Sequence, residues 1–459
     1  MLRIGSAYSH GRATRLASLV VLLTLTLYAA THAQEPDPAQ VAKPSSSSAP
    51  DKLTSSQRAK NVQAFDLIWT TIRDKHFDPK LGGLDWQGIR DKLRPRVEQA
   101  ATMKDARAIM NEAIEQLHQT HFGIIPVDVY KDLESPHGGP GEVGVDLRIV
   151  DGHAVVTAVT EGQPASAAGV KTGWIVEKID GKPVSQILQA AEVAYAKSGM
   201  LAARKALAVA ARLHGPIGST IALDFIDQND NPVYLAVKAV DPKGVPATFG
   251  NLPKFYVRFT AKRIDRTVGY VSLNIFFDLV NVLKQYGEAI EASRDAEGLI
   301  IDLRGNPGGM GAMSFAMGGW LVSERGLKLG TLVTRDGSLN FTLFPRPRPF
   351  TAPVAVLVDE LSMSTSEILA GGLRDLKRAR VFGVRTPGAA LPSTIEVLPN
   401  GDRFQYAFAN YISANGQPLE GIGVVPDVET PWTRVALFEG RDPAVEAALG
   451  WIRSSKKIP

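Results

Sequence analysis

Ser364 is the residue whose type and setting most clearly offer chemistry. It follows the apolar run Val354 to Val358, which predicts a buried strand, and after a short turn it opens a predicted helix. A serine at such a strand–turn–helix junction presents its hydroxyl near the N–H groups of the helix start, as expected for an acyl-transfer nucleophile. Ser364 and Glu367 also match a helix capping box, which requires no catalysis. The local pattern is compatible with both interpretations.

The segment GLIIDLRGNPGGMG, residues 298–311, is a second feature with chemical potential. A buried strand is predicted to end at Arg304, and the glycine-rich turn 305–309 leads into a helix. Consecutive glycines let backbone N–H groups approach a ligand oxygen without interference from a Cβ. The turn fits an oxyanion hole, whereas no Gly-Lys-Ser/Thr or GxGxxG string follows that would favour phosphate. A purely structural turn is the remaining interpretation.

Three strings in a fixed order resemble the carboxyl-terminal processing serine peptidases. They are DLRGNPGG, then VLVDELSMSTSE, then LEGIGVVPDVE near the C-terminus. The resemblance implies a helical N-terminal region, a PDZ domain and a crotonase-like α/β peptidase core. It also implies that Ser364 is the nucleophile and that the backbone N–H groups of Gly308 or Gly309 and of Thr365 are oxyanion donors.

One position departs from the best-known branch of that family, which places a lysine in a TxGKG string. The matching string here is TPGAA, residues 386–390, with Ala389 at the lysine position. A serine without a base is a poor nucleophile, because its hydroxyl stays protonated at neutral pH.

A second branch, resembling the tricorn core, uses a Ser-His pair and a glutamate near the end of the core. Thr120-His121 and Glu420 occupy those positions. The resemblance therefore implies the relay Ser364–His121–Thr120–Glu420, in which an imidazole of near-neutral pKa is the general base.

Other roles for His121 remain open: a structural residue at a helix end or, with His118 at i and i+3, a metal ligand. No HExxH string and no carboxylate at ligand spacing accompany this pair, so we predict no metal and no organic cofactor. Lys377, the lysine nearest after Ser364, lies in RDLKRAR and is interpreted as part of a solvated charged face.

Composition bounds the class of protein. A chain of 459 residues suggests two or three domains, and 44% hydrophobic residues are ample for packed cores. Residues 1–33 contain three arginines and no acidic residue; without them the chain has 48 basic and 47 acidic side chains. No basic patch for nucleic acid is therefore implied. The absence of cysteine excludes disulfides and a lipid-modified N-terminal cysteine.

Residues 1–33 have the organisation of a secretory signal peptide. Arginines precede the apolar stretch Leu16 to Ala30, and Thr31-His32-Ala33 supplies small residues at the cleavage position. The apolar stretch is short for a membrane span, although an uncleaved anchor is an alternative. We predict export to a periplasm or to the medium, with no membrane span after cleavage.

Changes in composition and periodicity divide the rest of the chain. Residues 34–56 are rich in proline, serine and alanine and predict a disordered linker. Residues 57–132 show helical spacing of apolar residues and predict a helical N-terminal domain. Residues 254–436 alternate apolar strands with helical stretches, as in an α/β core, and 437–459 form a closing helix and tail. The predicted fold is a multidomain α/β protein.

Residues 133–245 predict a β-rich domain with a helical insertion. The string from Ala165 to Val184 resembles a PDZ domain, which implies that Val143, Gly144 and Val145 lie in the loop that holds a peptide C-terminus. A plain β-module that only docks the other domains is the alternative.

Together these patterns predict an exported serine endopeptidase that cleaves extended or unfolded polypeptides through an acyl-enzyme on Ser364. The PDZ-like domain would select these partners by their C-termini, and no oligomeric state is predicted. The alternative is an inactive peptide-binding or ligand-binding protein on the same scaffold, with Ala389 marking lost activity.

Overall fold

A computed structural model describes residues 21–22, 52–128, 140–196, 198–252 and 254–455 of the chain. Apart from Val21–Leu22, the predicted signal peptide therefore lies outside the described residues, and so does most of the predicted linker. Val21–Leu22 form strand β1, which pairs antiparallel with Gly309–Met310 and with Ser393 of the C-terminal core. Among the described helices, none is both long and apolar enough to cross a membrane.

The predicted helical N-terminal region is confirmed. Its elements are α1 (Ser55–Lys75), α2 (Trp86–Gln99), α3 (Met103–Glu115) and the strand β2 (Gly123–Ile125). Thr54 begins α1 through a capping box with Gln57, since each side chain accepts the other's backbone N–H. The apolar faces of the helices form one cluster that also includes Leu398 and Phe404 of the C-terminal core. The helical region is therefore packed on that core.

A β-rich domain follows, with two longer helices inserted. Its elements are β3 (Pro140–Glu142), β4 (Val145–Val150), β5 (His153–Val159), α4 (Pro164–Ala167), β6 (Ile175–Ile179), β7 (Lys182–Pro183), α5 (Val184–Tyr195), α6 (Leu201–Ala210), β8 (His214–Pro216), β9 (Thr220–Ile226) and β10 (Pro232–Lys238). The main sheet has the order β10-β9-β6-β5-β4, with antiparallel neighbours and β4 at one edge. The likeness of this domain to a PDZ domain stays a prediction.

The C-terminal core contains the remaining elements. They are β11 (Val245–Ala247), β12 (Phe255–Val257), β13 (Phe259–Ile264), β14 (Val268–Leu273), α7 (Leu279–Ala292), β15 (Gly298–Asp302), β16 (Gly309–Met310), α8 (Gly311–Gly318), β17 (Lys328–Thr334), β18 (Gly337–Thr342), β19 (Val354–Val358), α9 (Thr365–Asp375), β20 (Ala379–Gly383), β21 (Ser393–Val397), β22 (Arg403–Ala407), β23 (Ala409–Ser413), β24 (Val428–Glu429), α10 (Arg434–Phe438) and α11 (Pro443–Ser455).

A sheet of order β13-β14-β15-β19-β20-β24 is the centre of this core. Within this sheet, β14, β15, β19, β20 and β24 are parallel to one another, and β13 is an antiparallel edge strand. Every residue of β15 and β19 is buried, because helices cover both faces of the sheet. This explains the unbroken apolar sequence of β19 and the apolar residues of β15 before Asp302. Helices α7, α8 and α9 pack on one face and α11 packs on the other. The predicted mixed α/β multidomain fold is confirmed.

Candidate active site

Ser364 lies at the turn between β19 and α9, as the apolar strand and helix start predicted. Its side chain is fully buried, and its backbone has φ 59° and ψ −118°, a conformation that serine adopts only when neighbouring contacts impose it. The contacts are two hydrogen bonds from its N–H, to the Ala389 carbonyl (2.8 Å) and to Glu367 Oε2 (2.9 Å). Ser364 Oγ is buried without a hydrogen-bond partner among the described residues. The backbone of Ser364 is therefore fixed, while its hydroxyl makes no hydrogen bond to a described residue.

Glu367 has a larger role than the capping residue that the local pattern indicated. Besides Ser364 N–H, its carboxylate accepts the hydroxyl of Thr386 (2.6 Å) and the N–H groups of Gly388 (2.7 Å) and Ala389 (2.9 Å). Burial raises the pKa of Glu367 to about 7, and the hydrogen bonds from its partners oppose that rise. One buried carboxyl group thus ties the nucleophile turn to the segment in which the family's lysine would lie.

Thr120 connects His121 to Glu420, although the glutamate is 300 residues away in sequence. Glu420 Oε1 accepts the Thr120 N–H (2.7 Å), Oε2 lies 2.9 Å from Thr120 Oγ1, and Oγ1 lies 2.8 Å from His121 Nδ1. A hydroxyl has one proton to donate, and an ionised carboxylate can only accept. With Glu420 ionised, the Thr120 proton goes to Oε2, so His121 Nδ1 carries a hydrogen and Nε2 has the free lone pair.

The imidazole of His121 is almost fully buried, with 3% of the residue exposed, and its φ is 60°. Nε2 has no hydrogen-bond partner among the described residues. Burial lowers the pKa of His121 to about 3, because the charged imidazolium is poorly solvated there. The near-neutral pKa expected from the sequence is therefore wrong for this conformation: the ring is neutral and its Nε2 is available as an acceptor.

The peptide group between Ala389 and Ala390 connects the relay to the nucleophile. Its carbonyl accepts the N–H of Ser364, and its N–H donates to Glu420 Oε2 at 3.1 Å. Burial raises the pKa of Glu420 to about 7, and the hydrogen bonds from Thr120 and Ala390 oppose that rise. The position that lacks a lysine side chain thus contributes its backbone to the site.

The glycine-rich turn contacts Ser364 directly. A Cβ on Gly308 would lie 2.6 Å from the Cβ of Ser364, so only glycine fits, and its φ of 100° imposes the same choice. In this conformation the Gly308 N–H donates to Asn306 Oδ1 at 2.8 Å, and its role as an oxyanion donor stays a prediction. Gly309 and Thr365 lie together, since the Thr365 hydroxyl donates to the Gly309 carbonyl at 3.0 Å. Thr365 is the first residue of α9, so no helical carbonyl accepts its N–H.

Asn306 is a site residue that the sequence reasoning missed. It is fully buried, and its side-chain amide donates to the Leu273 carbonyl at 2.6 Å. Its own carbonyl accepts the Met363 N–H (3.0 Å) and the Ser366 hydroxyl (2.9 Å). Asn306 therefore joins the glycine-rich turn to the nucleophile turn. The sequence did contain a signal for this role, because Asn306 lies between the turn-forming residues Gly305 and Pro307. An asparagine in a turn often accepts a hydrogen bond from the backbone N–H two residues on.

The β-rich domain reaches the same site through Arg148 of β4. Its guanidinium donates twice to Asp359 Oδ2, at 2.6 and 2.8 Å, and both side chains are nearly buried. Asp359 Oδ1 accepts the Gly305 N–H at 2.9 Å and the Leu361 N–H at 3.0 Å. One ion pair between domains is thus attached to both turns that surround Ser364.

Helix α6 covers the nucleophile turn with apolar side chains. Ala203 and Ala206 of α6, with Met200 before it, form a buried cluster with Leu361, Met363 and Ala389. The side chain at the lysine position therefore faces an apolar contact between domains. In this conformation the candidate site is closed to solvent.

The remaining predicted residues lie away from this arrangement. The Val143 carbonyl accepts the Ala165 N–H, the Gly144 carbonyl accepts the Thr160 N–H, and Val145 begins the edge strand β4. Capture of a peptide C-terminus by this loop stays a prediction. Lys377 is exposed. Within the described ranges, no group of three His, Cys, Asp or Glu side chains is arranged to hold a metal ion.

Comparison with known proteins finds two family models that match parts of the chain. Residues 267–430 match Peptidase family S41, and residues 57–115 match the tricorn protease C1 domain. A carboxy-terminal-processing protease of Bartonella bacilliformis is 27% identical over 360 residues, which cover 75% of this chain and 74% of that protein. A putative tricorn protease homolog of Streptomyces coelicolor is 25% identical over 410 residues, 84% of this chain but 32% of that protein.

Solved structures share the fold. The photosystem II D1 C-terminal processing protease superimposes with a TM-score of 0.55 at 21% identity, covering 83% of this chain and 94% of that one. Mature CPAF superimposes with a TM-score of 0.58 at 15% identity, covering 88% of this chain and 97% of that one.

Proposed function

We propose that this chain is a serine peptidase that hydrolyses polypeptides by a serine–histidine mechanism, and the match of residues 267–430 to Peptidase family S41 supports this. Ser364 is the nucleophile and His121 the general base, with Thr120 and Glu420 holding the imidazole. The observation that carries the proposal is the hydrogen-bonded chain Glu420–Thr120–His121. Among the described residues, neither His121 Nε2 at the end of this chain nor Ser364 Oγ has a hydrogen-bond partner.

The proton transfers follow from that chain. Ser364 Oγ attacks the scissile carbonyl carbon and gives its proton to His121 Nε2, and the imidazolium then protonates the leaving amine. Water next gives a proton to the same nitrogen and attacks the ester carbonyl carbon. The imidazolium then returns that proton to Ser364 Oγ as the acyl–oxygen bond breaks, which releases the acid and restores the serine. Glu420 stabilises the transient imidazolium through the Thr120 hydroxyl, as the carboxylate of a catalytic triad does directly.

Two backbone amides are suited to stabilise the negative oxygen of the tetrahedral intermediate. The Thr365 N–H lies at the start of α9, where the helix dipole favours negative charge. The second donor is the N–H of Gly309, next to the glycine in contact with Ser364. Gly308 becomes a donor only if Asn306 releases its N–H.

Extended polypeptides are the substrate class that the sheet edges support best. Strand β1 pairs on one side with β16, which contains Gly309, and on the other with Ser393 of β21. These two edges therefore accept an extended backbone beside the oxyanion turn. Selection of substrates by their C-termini, through Val143, Gly144 and Val145 beside the free edge of β4, is part of the same proposal.

Access to Ser364 requires a domain movement, because α6 and Arg148 close the site. Export to a periplasm or to the medium rests on the N-terminal segment and belongs to this proposal.

The test is covalent labelling with a fluorophosphonate probe alongside casein hydrolysis. Labelling and hydrolysis should both disappear in Ser364→Ala and fall to near background in His121→Ala, while Lys377→Ala should behave as the wild type. Full labelling of His121→Ala would exclude the relay but leave the nucleophile. An unlabelled, inactive wild type across pH 5 to 9 would exclude the proposed function.

A further inference from the structure

The backbone that carries Thr120 and His121 needs support from outside itself. His118 and His121 both have positive φ values, 49° and 60°, in the region that side chains other than glycine seldom adopt. Such conformations cost energy and persist only when the surroundings impose them. Glu420 supplies one restraint through Thr120. The residues that flank the Thr120–His121 pair, Gln119 and Phe122, need a second restraint.

His76 supplies contacts to that side. It lies at the end of α1, 1% exposed, and its Nε2 is 2.8 Å from Gln119 Oε1. Its ring stacks on Phe122 with a centroid distance of 5.7 Å and on Phe77 with 4.3 Å. Gln119 and Phe122 are the residues on either side of the Thr120–His121 pair, so one imidazole contacts both residues that flank this pair.

Both ring nitrogens of His76 have partners. Nε2 faces the side-chain amide of Gln119, and Nδ1 lies 3.0 Å from both the N–H and the carbonyl oxygen of Asp78. Neither nitrogen is left free for another role. His76 is therefore fully engaged in holding its neighbours.

We infer that His76 is a positioning residue for the relay, and this inference rests on the proposed function. Through Gln119 and Phe122, His76 fixes the backbone on both sides of the Thr120–His121 pair. It thereby fixes the direction in which Nε2 of His121 points. Misplacing a catalytic group by about 1 Å can reduce the rate about 100-fold. Loss of this support should thus lower turnover and leave substrate binding unchanged.

Two His76 variants separate the hydrogen bond from the ring. His76→Phe keeps the stacking but removes the donor to Gln119, whereas His76→Gln keeps an amide donor of similar reach. Loss of an outer partner of this kind typically costs about 10- to 100-fold, so His76→Phe should lower kcat by that factor with KM unchanged. His76→Gln should recover most of the loss. Phe77→Leu, which removes the stacking partner of His76 that lies outside the 119–122 segment, is the control for destabilisation and should keep the wild-type kcat.

The path through Gln119 is tested by Gln119→Leu alone and combined with His76→Phe. We expect the double variant to lose no more kcat than His76→Phe, because both changes break one interaction. Additive losses, or a His76→Phe kcat equal to that of Phe77→Leu at equal Tm, would overturn the inference. Either result can occur while the wild type is labelled normally by the fluorophosphonate probe, so it would leave the proposed function standing. A wild type that is not labelled removes the proposed function and, with it, this inference.

Discussion

Replacing Glu420 by glutamine should reverse the proton order of the relay while preserving its shape. Glu420 Oε1 accepts the Thr120 N–H at 2.7 Å, so the amide oxygen of glutamine keeps that place. The amide nitrogen then takes the place of Oε2 and donates to Thr120 Oγ1. The threonine proton must turn to His121 Nδ1, and the imidazole carries its hydrogen on Nε2. The nitrogen expected to take the serine proton would thus already be protonated.

The size of the effect follows from the charge and the tautomer together. In a serine triad, an asparagine in place of the aspartate costs about 10⁴-fold in kcat for the same tautomeric reason. That corresponds to about 5 kcal/mol of transition-state stabilisation. We expect Glu420→Gln to lower kcat by about 10³- to 10⁴-fold. The new amide also faces the N–H of Ala390, which is 3.1 Å from Oε2, and two buried donors in contact should cost about 1–3 kcal/mol of folding free energy.

Rates of fluorophosphonate labelling and of peptide hydrolysis between pH 5 and 9 are the assay. Burial raises the pKa of Glu420 to about 7, so Glu420 is protonated below that pH, and wild-type activity should rise as pH increases through about 7. Glu420→Gln should lose that rise. Thr120→Ser keeps the hydroxyl and should stay within a few-fold of the wild type, whereas Thr120→Val should resemble Glu420→Gln. A kcat for Glu420→Gln within about 10-fold of the wild type, with Thr120→Val equally active, would refute the tautomer reasoning.

Three further changes test the surroundings of the site. Ala389→Lys places an ammonium group in a fully buried apolar contact, so it should lower the Tm in thermal unfolding without raising hydrolysis above the wild type. Gly308→Ala directs a methyl group to 2.6 Å from the Cβ of Ser364 and should lower the rate of probe labelling at least about 100-fold, with near-normal circular dichroism. Arg148→Met leaves Asp359 buried and unpaired, which should cost about 3–5 kcal/mol in denaturant unfolding, and Arg148→Met combined with Asp359→Asn should recover part of it.

The local elements around Ser364 could be predicted because they depend on near neighbours in sequence. The buried strand Val354–Val358 follows from an unbroken apolar run, and the helix start follows from the Ser364 to Glu367 spacing. The glycine-rich turn 305–309 follows from its glycines, because glycine readily adopts the positive φ values that this turn requires. The helical N-terminal region follows from apolar spacing and caps such as Thr54. These patterns involve residues close together in the chain, so they can be recognised from the sequence alone.

Contacts between distant segments could be predicted only by resemblance to a family. Thr120 and Glu420 matched positions of the tricorn-like branch, but no local pattern indicates that their side chains meet. The Ala389–Ala390 peptide group and its bonds to both halves of the site were not anticipated. Nor were the four donors on Glu367, since only one of them belongs to its own helix start.

The sequence by itself determined which residues are able to carry the proposed chemistry, because a hydroxyl, an imidazole and a carboxylate are properties of residue types. Tertiary structure decided their state. Burial lowers the pKa of His121, the side chain of Asn306 accepts the hydrogen bond of the Gly308 N–H, and the hydroxyl of Thr120 selects the tautomer of His121. Each of these depends on the distance and solvation of groups brought together by folding. No spacing along the chain contains that information.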